Sequence, residues 1–277
     1  MSDKTITEKI DFSKSEQYTL SIRLSTDGFS FSIYNPLDNQ FYFIPVLINP
    51  SFSLAVNVKE MIQRNSALNY SFKRVNLLQV GNRFTLIPNE LFEEESGEDF
   101  YQYNQQHQDN EKILYNTLYK TDMIVAFSID KSIYQQFKEI FPEINFHSQS
   151  SLLIEYFSTK SRLGNSKKMY VYISNNSIDI FCYEKGKLLF ANSFKCTYTE
   201  DRIYYLLYVW KQLNYDQERD EMHLVGFFED KENLTKKLRK YIRQVFIINP
   251  KSEFNNSWES GTENVPFDMQ ILSQNEF

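Results

Sequence analysis

Glycine is scarce, with 7 in 277 residues, where average usage would supply roughly 19. Loops that cradle phosphate groups need glycine so that backbone N–H groups can approach closely. The scarcity therefore weighs against a nucleotide hydrolase. Cysteine is nearly absent: Cys182 and Cys196 are the only two, which excludes a disulfide framework or a cysteine-built metal site. The three histidines, His107, His147 and His223, have no metal-ligand neighbours at short spacing, and no metal is expected. Walker loops, Gly-x-Ser-x-Gly elbows and His-Glu-x-x-His pairs are missing. No run approaches the ~18 apolar residues of a membrane span, and residues 1–11 lack the apolar core of a signal segment. A cytoplasmic location is the expectation. A net charge of −6 and a pI near 5.3 argue against nucleic-acid or anionic-membrane binding.

Aromatic side chains are what the chain has in abundance, with 24 Phe and 19 Tyr. They supply large burial areas for a well-packed core. They also sit in a repeat. Residues 20–34 (LSIRLSTDGFSFSIY) read as strand, polar turn and strand, followed by a turn at 34–40 and a third strand at 41–48. Asn49-Pro50-Ser51 then opens a helix to about Ser66. Residues 170–183 (YVYISNNSIDIFCY) repeat the hairpin, residues 188–196 the third strand, and residues 197–201 cap a helix to about Asn214. Leu24 falls on Ile173, Phe29 on Ile178, Phe31 on Ile180 and Tyr34 on Tyr183, an offset of about 149.

A second pair of segments matches at an offset of about 99: residues 122–130 (DMIVAFSID) with 221–230 (EMHLVGFFED), each followed by an amphipathic helix (131–141 and 231–243) and a short strand. The change of offset places an insertion near residues 67–121. Two domains are expected, 1–147 carrying that insertion and 148–277, with a helix at 148–162 joining them.

Duplicated three-strand meanders followed by helices resemble the actin-like ATPase superfamily of actin, heat-shock chaperones, sugar kinases and the bacterial FtsA- and PilM-type scaffolds. The likeness is strongest over residues 170–194, and the whole chain resembles a Bacteroides-type bacterial family of actin-like fold and unassigned function. The resemblance implies an α/β chain of mixed sheets in a duplicated, ribonuclease H-like two-domain fold. It also implies where phosphate chemistry would sit. The superfamily's Asp-x-Gly-[Thr/Ser] pattern sets a carboxylate beside the metal and a glycine beside the phosphates. Here the first hairpin has Arg23 and Ser25 at those positions, and the second has Tyr172 and Ser174. Asp27-Gly28 lies in the turn, later than the pattern. The adenosine motif retains Gly226 and has Phe227 in place of a second glycine. Loss of these ligands argues against phosphoryl transfer, so neither a cofactor nor catalytic residues are expected.

Other features bear on binding. Tyr204, Tyr208, Lys211 and Tyr215 share one face of the 199–214 helix, opposite a stripe of Ile203, Leu206, Leu207, Trp210 and Leu213. Exposed tyrosines suit a protein partner. Lys236, Lys237, Arg239, Lys240 and Arg243 form a basic run that reads as a solvated helix face. The acids at 93–99 read as a solvated loop. Residues 265–272 (VPFDMQIL) read as a late strand or a segment docked on the body. The expectation is a non-catalytic actin-like protein that binds another protein. The alternative is a small-molecule or nucleotide-binding protein or divergent kinase using the cleft between the two domains, with Arg23 pairing an anion.

Overall fold

Alternation of Leu20, Ile22 and Leu24 with Ser21 and Arg23 gives one apolar and one polar face to a strand. In a computed structural model of the protein, which describes residues 10–25, 28–46, 48–228, 230–254 and 265–274, this segment is β1 (Thr19–Ser25). It pairs antiparallel with β2 (Gly28–Asn35), which pairs antiparallel with β3 (Gln40–Val46). Helix α1 (Leu54–Arg64) follows, capped by Ser53, whose Oγ accepts from the Val56 N–H at 3.3 Å. Residues 49–52 precede this helix rather than opening it. The Asn57 side chain holds them, accepting from the Asn49 N–H at 2.7 Å and donating to the Asn49 and Phe52 carbonyls.

Strand β4 (Arg74–Gln79) pairs parallel with β1. Then come β5 (Phe84–Pro88), α2 (Gly97–Asn104), β6 (Glu111–Leu118) and β7 (Met123–Asp130), whose strands make a separate sheet in the order β5-β7-β6. Helix α3 (Lys131–Ile140) leads to β8 (Asn145–Ser148), parallel to β4. The first five-stranded sheet is β3-β2-β1-β4-β8.

Helix α4 (Gln149–Ser161) opens the second half. Strands β9 (Lys167–Ile173), β10 (Ser177–Glu184) and β11 (Lys187–Lys195) form the second meander, followed by α5 (Thr199–Gln212), β12 (Glu221–Gly226), α6 (Lys231–Leu238) and β13 (Gln244–Ile247). Their sheet runs β11-β10-β9-β12-β13, with β9, β12 and β13 parallel. The two sheets have the same order and the same mixture of parallel and antiparallel pairs. This is the duplicated actin-like architecture.

The pairing corrects the repeat at its fourth strand. β12 is the parallel neighbour of β9, and the parallel neighbour of β1 is β4, not β7. The offset therefore stays near 147 through that strand, since Gln79 opposes Leu24 as Gly226 opposes Ile173. The extra segment is residues 80–130, not 67–121. Strand β7 reads like a central strand because Ile124, Val125, Ala126 and Phe127 are all buried, but Ile124 and Ala126 pack with Ile87 and Tyr101 in a core of the insertion's own.

The chain divides into two compact units, 1–116 with 124–149 and 257–277, and 117–123 with 150–256. The first core joins Ile22, Phe31, Val58, Ile133 and Phe137. The second joins Val171, Ile180, Leu206, Trp210 and Leu234. Residues 267–274 form a last helix, α7 (Phe267–Gln274), lying on β1 of the first unit. They are a docked helix and not a late strand. They fall in the first unit.

Candidate functional site

At the first hairpin, Arg23 lies on β1 opposite Ser30 of β2. Its Nε donates to both oxygens of Asp268 on α7, at 3.1 and 3.0 Å. Asp268 is fully buried and also accepts from the Gln149 side-chain amide and from the Met269 N–H at 2.7 Å. The pair lies within the first unit and is a charge-assisted contact. Ser25 closes the hairpin, its Oγ donating to the Gly28 carbonyl at 2.9 Å. Asp27, the acid of that turn, lies outside the described residues.

At the second hairpin, Tyr172 is buried and stands opposite Asp179 of β10. Ser174 closes the turn: its N–H donates to the Ser177 carbonyl at 3.0 Å, and its Oγ lies 2.8 Å from that of Ser177. Arg202 of α5, itself buried, donates to the carbonyls of Ser174 and Asn175 at 2.9 and 2.8 Å. A cation thus holds the turn through its carbonyls.

Gly226 has a packing reason to be glycine. Its φ is +117°, and a β-carbon would stand 2.1 Å from the Ile173 carbonyl oxygen. Phe227 is half exposed, with Lys231 Nζ 5.9 Å from its ring centre, whereas Phe228 is buried.

A cavity of about 610 Å³ opens within the first unit. The carboxyl ends of β1 and β4 (Leu24, Gln79), the α1 cap Ser53, Arg83 and Glu111 of the insertion, and Asp130 line it. Arg83 and Glu111 neutralise one another at 3.0 Å. Asp130 caps α3, accepting from the Ser132 and Ile133 N–H groups at 2.8 and 3.1 Å. Burial works to raise its carboxyl, and the bonds from Ser132, Ile133 and Asn110 outweigh it, holding Asp130 below its usual range.

On α5, Tyr204 and Tyr208 are exposed and stack with ring centres 6.0 Å apart, beside exposed Lys211. Tyr215 does not join them. It is buried, and its hydroxyl donates to the Lys168 carbonyl at 3.1 Å. The basic run is not one helical face either. Helix α6 ends at Leu238, and Lys237, Arg239 and Arg243 are engaged by Glu200, the Val245 carbonyl and Glu218. His223 is held between the rings of Tyr170 and Phe246 and bonds Glu221 at 2.8 Å. Burial lowers its pKa, with Glu221 opposing. No group of three metal-ligating side chains occurs among the described residues.

Residues 7–245 match a family described as "Protein of unknown function (DUF3822)". The chain belongs to this family. A solved protein from Bacteroides thetaiotaomicron, described as having an actin-like ATPase fold and unknown function, is 52% identical over 96% of this chain and 99% of its own, with a TM-score of 0.85. The PilM–PilN type IV pilus biogenesis complex is 10% identical, with a TM-score of 0.58 over 92% of this chain and 96% of its own, a likeness of fold alone. No curated protein matches. Among the described residues no helix of this DUF3822 chain is long and apolar enough to cross a membrane.

Sequence reasoning missed Asp268, Gln149 and Arg202. Asp268 carries a readable signal, a lone acid in the apolar run VPFDMQIL, because a buried acid needs a partner. Arg202 carries another, a cation in the first turn of a helix, where the backbone dipole disfavours it. Gln149 carries none.

Proposed function

We propose that this protein is a non-catalytic member of the actin-like fold that works by binding another protein. The observation that carries the reading is Arg23. Magnesium and phosphate chemistry needs an anion there, and the chain supplies a cation already paired with Asp268. The Arg202-held turn and the loss of both pattern glycines support the same reading. Under it, Arg23, Ser25, Tyr172, Ser174, Gly226 and Phe227 mark a degenerate nucleotide site. Tyr204, Tyr208 and Lys211 are the partner surface. The PilM–PilN complex, where the same fold occurs in a protein–protein assembly, makes such a role reasonable.

Titration calorimetry with ATP and Mg²⁺ tests the reading. No saturable heat is expected, and micromolar binding would overturn it. Y204A and Y208A are expected to leave stability within about 0.5 kcal/mol of the parent, as surface changes do, while weakening partner binding. A second reading, a small-molecule binder, is favoured by the cavity at Gln79 and Asp130. Under that reading a small metabolite raises the melting temperature.

A further inference from the structure

The insertion carries the net negative charge of the chain. Residues 80–130 hold ten acidic residues against three basic ones, and the rest of the chain holds 26 against 27, so the insertion alone accounts for the excess. Glu93, Glu94, Glu95, Glu98 and Asp99 are exposed and have no cationic partner among the described residues. The fold sets them beside a groove. Gly97 stands among them, and a β-carbon there would lie 2.8 Å from both the Phe92 and the Tyr115 rings. Those two rings meet with centres 5.0 Å apart. The groove, of about 440 Å³, runs from Phe92 and Glu94 along the consecutive residues 112–115 of β6. Consecutive side chains of a strand point to opposite faces, so what these four share toward the groove is the edge of the strand. β6 is the end strand of its sheet, with β7 on its other side. Among the described residues no backbone hydrogen bond from outside the sheet reaches residues 112–115. Such an edge presents unpaired N–H and C=O groups. Lys112 turns to Tyr134, its Nζ 4.8 Å from the ring centre. Beyond the groove, Asn116 ties β6 to β8, donating to the Phe146 carbonyl at 2.9 Å and accepting from the Ser148 N–H at 2.8 Å.

We propose that the open edge of β6 takes an extended basic segment of a partner protein as an added strand, with lysine or arginine side chains directed at the acids of residues 93–99. In this mode main-chain bonds to the edge supply affinity, and alternate side chains supply specificity. Every second side chain of the added strand lies on the face of Ile113 and Tyr115, where Phe92 packs. A cation on that face meets aromatic rings as well as carboxylates. The acids already act on the groove: burial, joined by the charges of Glu98, Glu94 and Asp99, holds the Tyr115 hydroxyl above its usual pKa. The same charge selects against a second copy of this chain. Pairing β6 with β6 brings two acidic loops to one edge, and like charges oppose it. The groove belongs to the first unit and shares no residue with Tyr204 and Tyr208, so its test stands or fails apart from theirs and from nucleotide binding.

Fluorescence anisotropy on the full chain tests it, with a labelled peptide of alternating lysine and valine, eight residues long like β6. Saturable binding is expected. The double variant E94K/E95K is expected to weaken it by about tenfold and to keep the urea midpoint of the parent, since both side chains are exposed. Two further peptides, N-methylated at the lysine or at the valine amides, keep the charge and each lose the donors of one strand edge. One of the two is expected to bind about tenfold more weakly than the parent peptide, because its blocked edge is the one that meets β6. In hydrogen–deuterium exchange the parent peptide is expected to slow the amides of residues 112–115 and to leave β9 and β10 unchanged. Equal binding by all three peptides would show attraction by charge alone and overturn the proposal. So would undiminished binding to E94K/E95K, unchanged exchange at residues 112–115, or no saturable binding of the parent peptide.

Discussion

A β-carbon on Gly226 would collide with the backbone of Ile173, at 2.1 Å from its carbonyl oxygen. Backbone cannot move aside as a flexible side chain can, and the φ of +117° adds strain for any other residue. Gly226→Ala is therefore expected to cost about 3 kcal/mol or more, read as a lower denaturation midpoint. A glycine retained from a nucleotide motif and one retained for strand packing look alike in sequence. His147 gives a second prediction at this scale. Burial, with the charge of Arg74 added, lowers its pKa from 6.5 to about 4. The unfolded chain then takes up a proton near pH 6.5 that the folded chain refuses until about pH 4. Stability is therefore present above pH 6.5 and falls as pH drops through that window, by on the order of 3 kcal/mol. His223 is lowered as well and adds to the same slope. Urea denaturation at pH 7 and pH 4.5 measures the loss, and His147→Gln is expected to reduce it.

Helix α3 shows how an element is placed by its ends. Asp130 closes β7 and caps α3 through the Ser132 and Ile133 N–H groups. Asp130→Ala is expected to cost about 1 kcal/mol, the usual loss for an N-cap, measured by chemical denaturation. The equivalent Asp230 has no side-chain cap bond to α6; its carboxylate accepts instead from Thr199 and Asn233. Both acids were legible as helix starts, but their different hydrogen bonding was not. The end of α6 is set by a similar distinction. The apolar spacing of Leu234, Leu238 and Ile242 continues a helical period past the true end at Leu238. There, the Arg239 side chain donates to the Val245 carbonyl, beyond the turn that ends the helix. Period alone does not distinguish a continued helix from a turn that buries the next apolar residue.

For the whole molecule, the duplicated meander was legible because its two copies share alternation, turn chemistry and following helix at one offset. Those features are local, set by strand periodicity and turn propensity, and they carried the fold class. The fourth strand of the first sheet is β4 and not β7. Both β4 and β7 have the apolar content of a buried strand, and only pairing with β1 distinguishes them. The partner of Arg23 was equally out of reach, because it stands 245 residues away along the chain. Sequence by itself thus determined the repeated architecture and the exposed pair Tyr204 and Tyr208 on α5, which depend on neighbours a few residues apart. Tertiary structure alone decided which strand completes the first sheet, where the insertion begins, and that Arg23 lies beneath a helix carrying its counter-charge. Each of those depends on which distant surfaces meet, and local periodicity does not encode that choice.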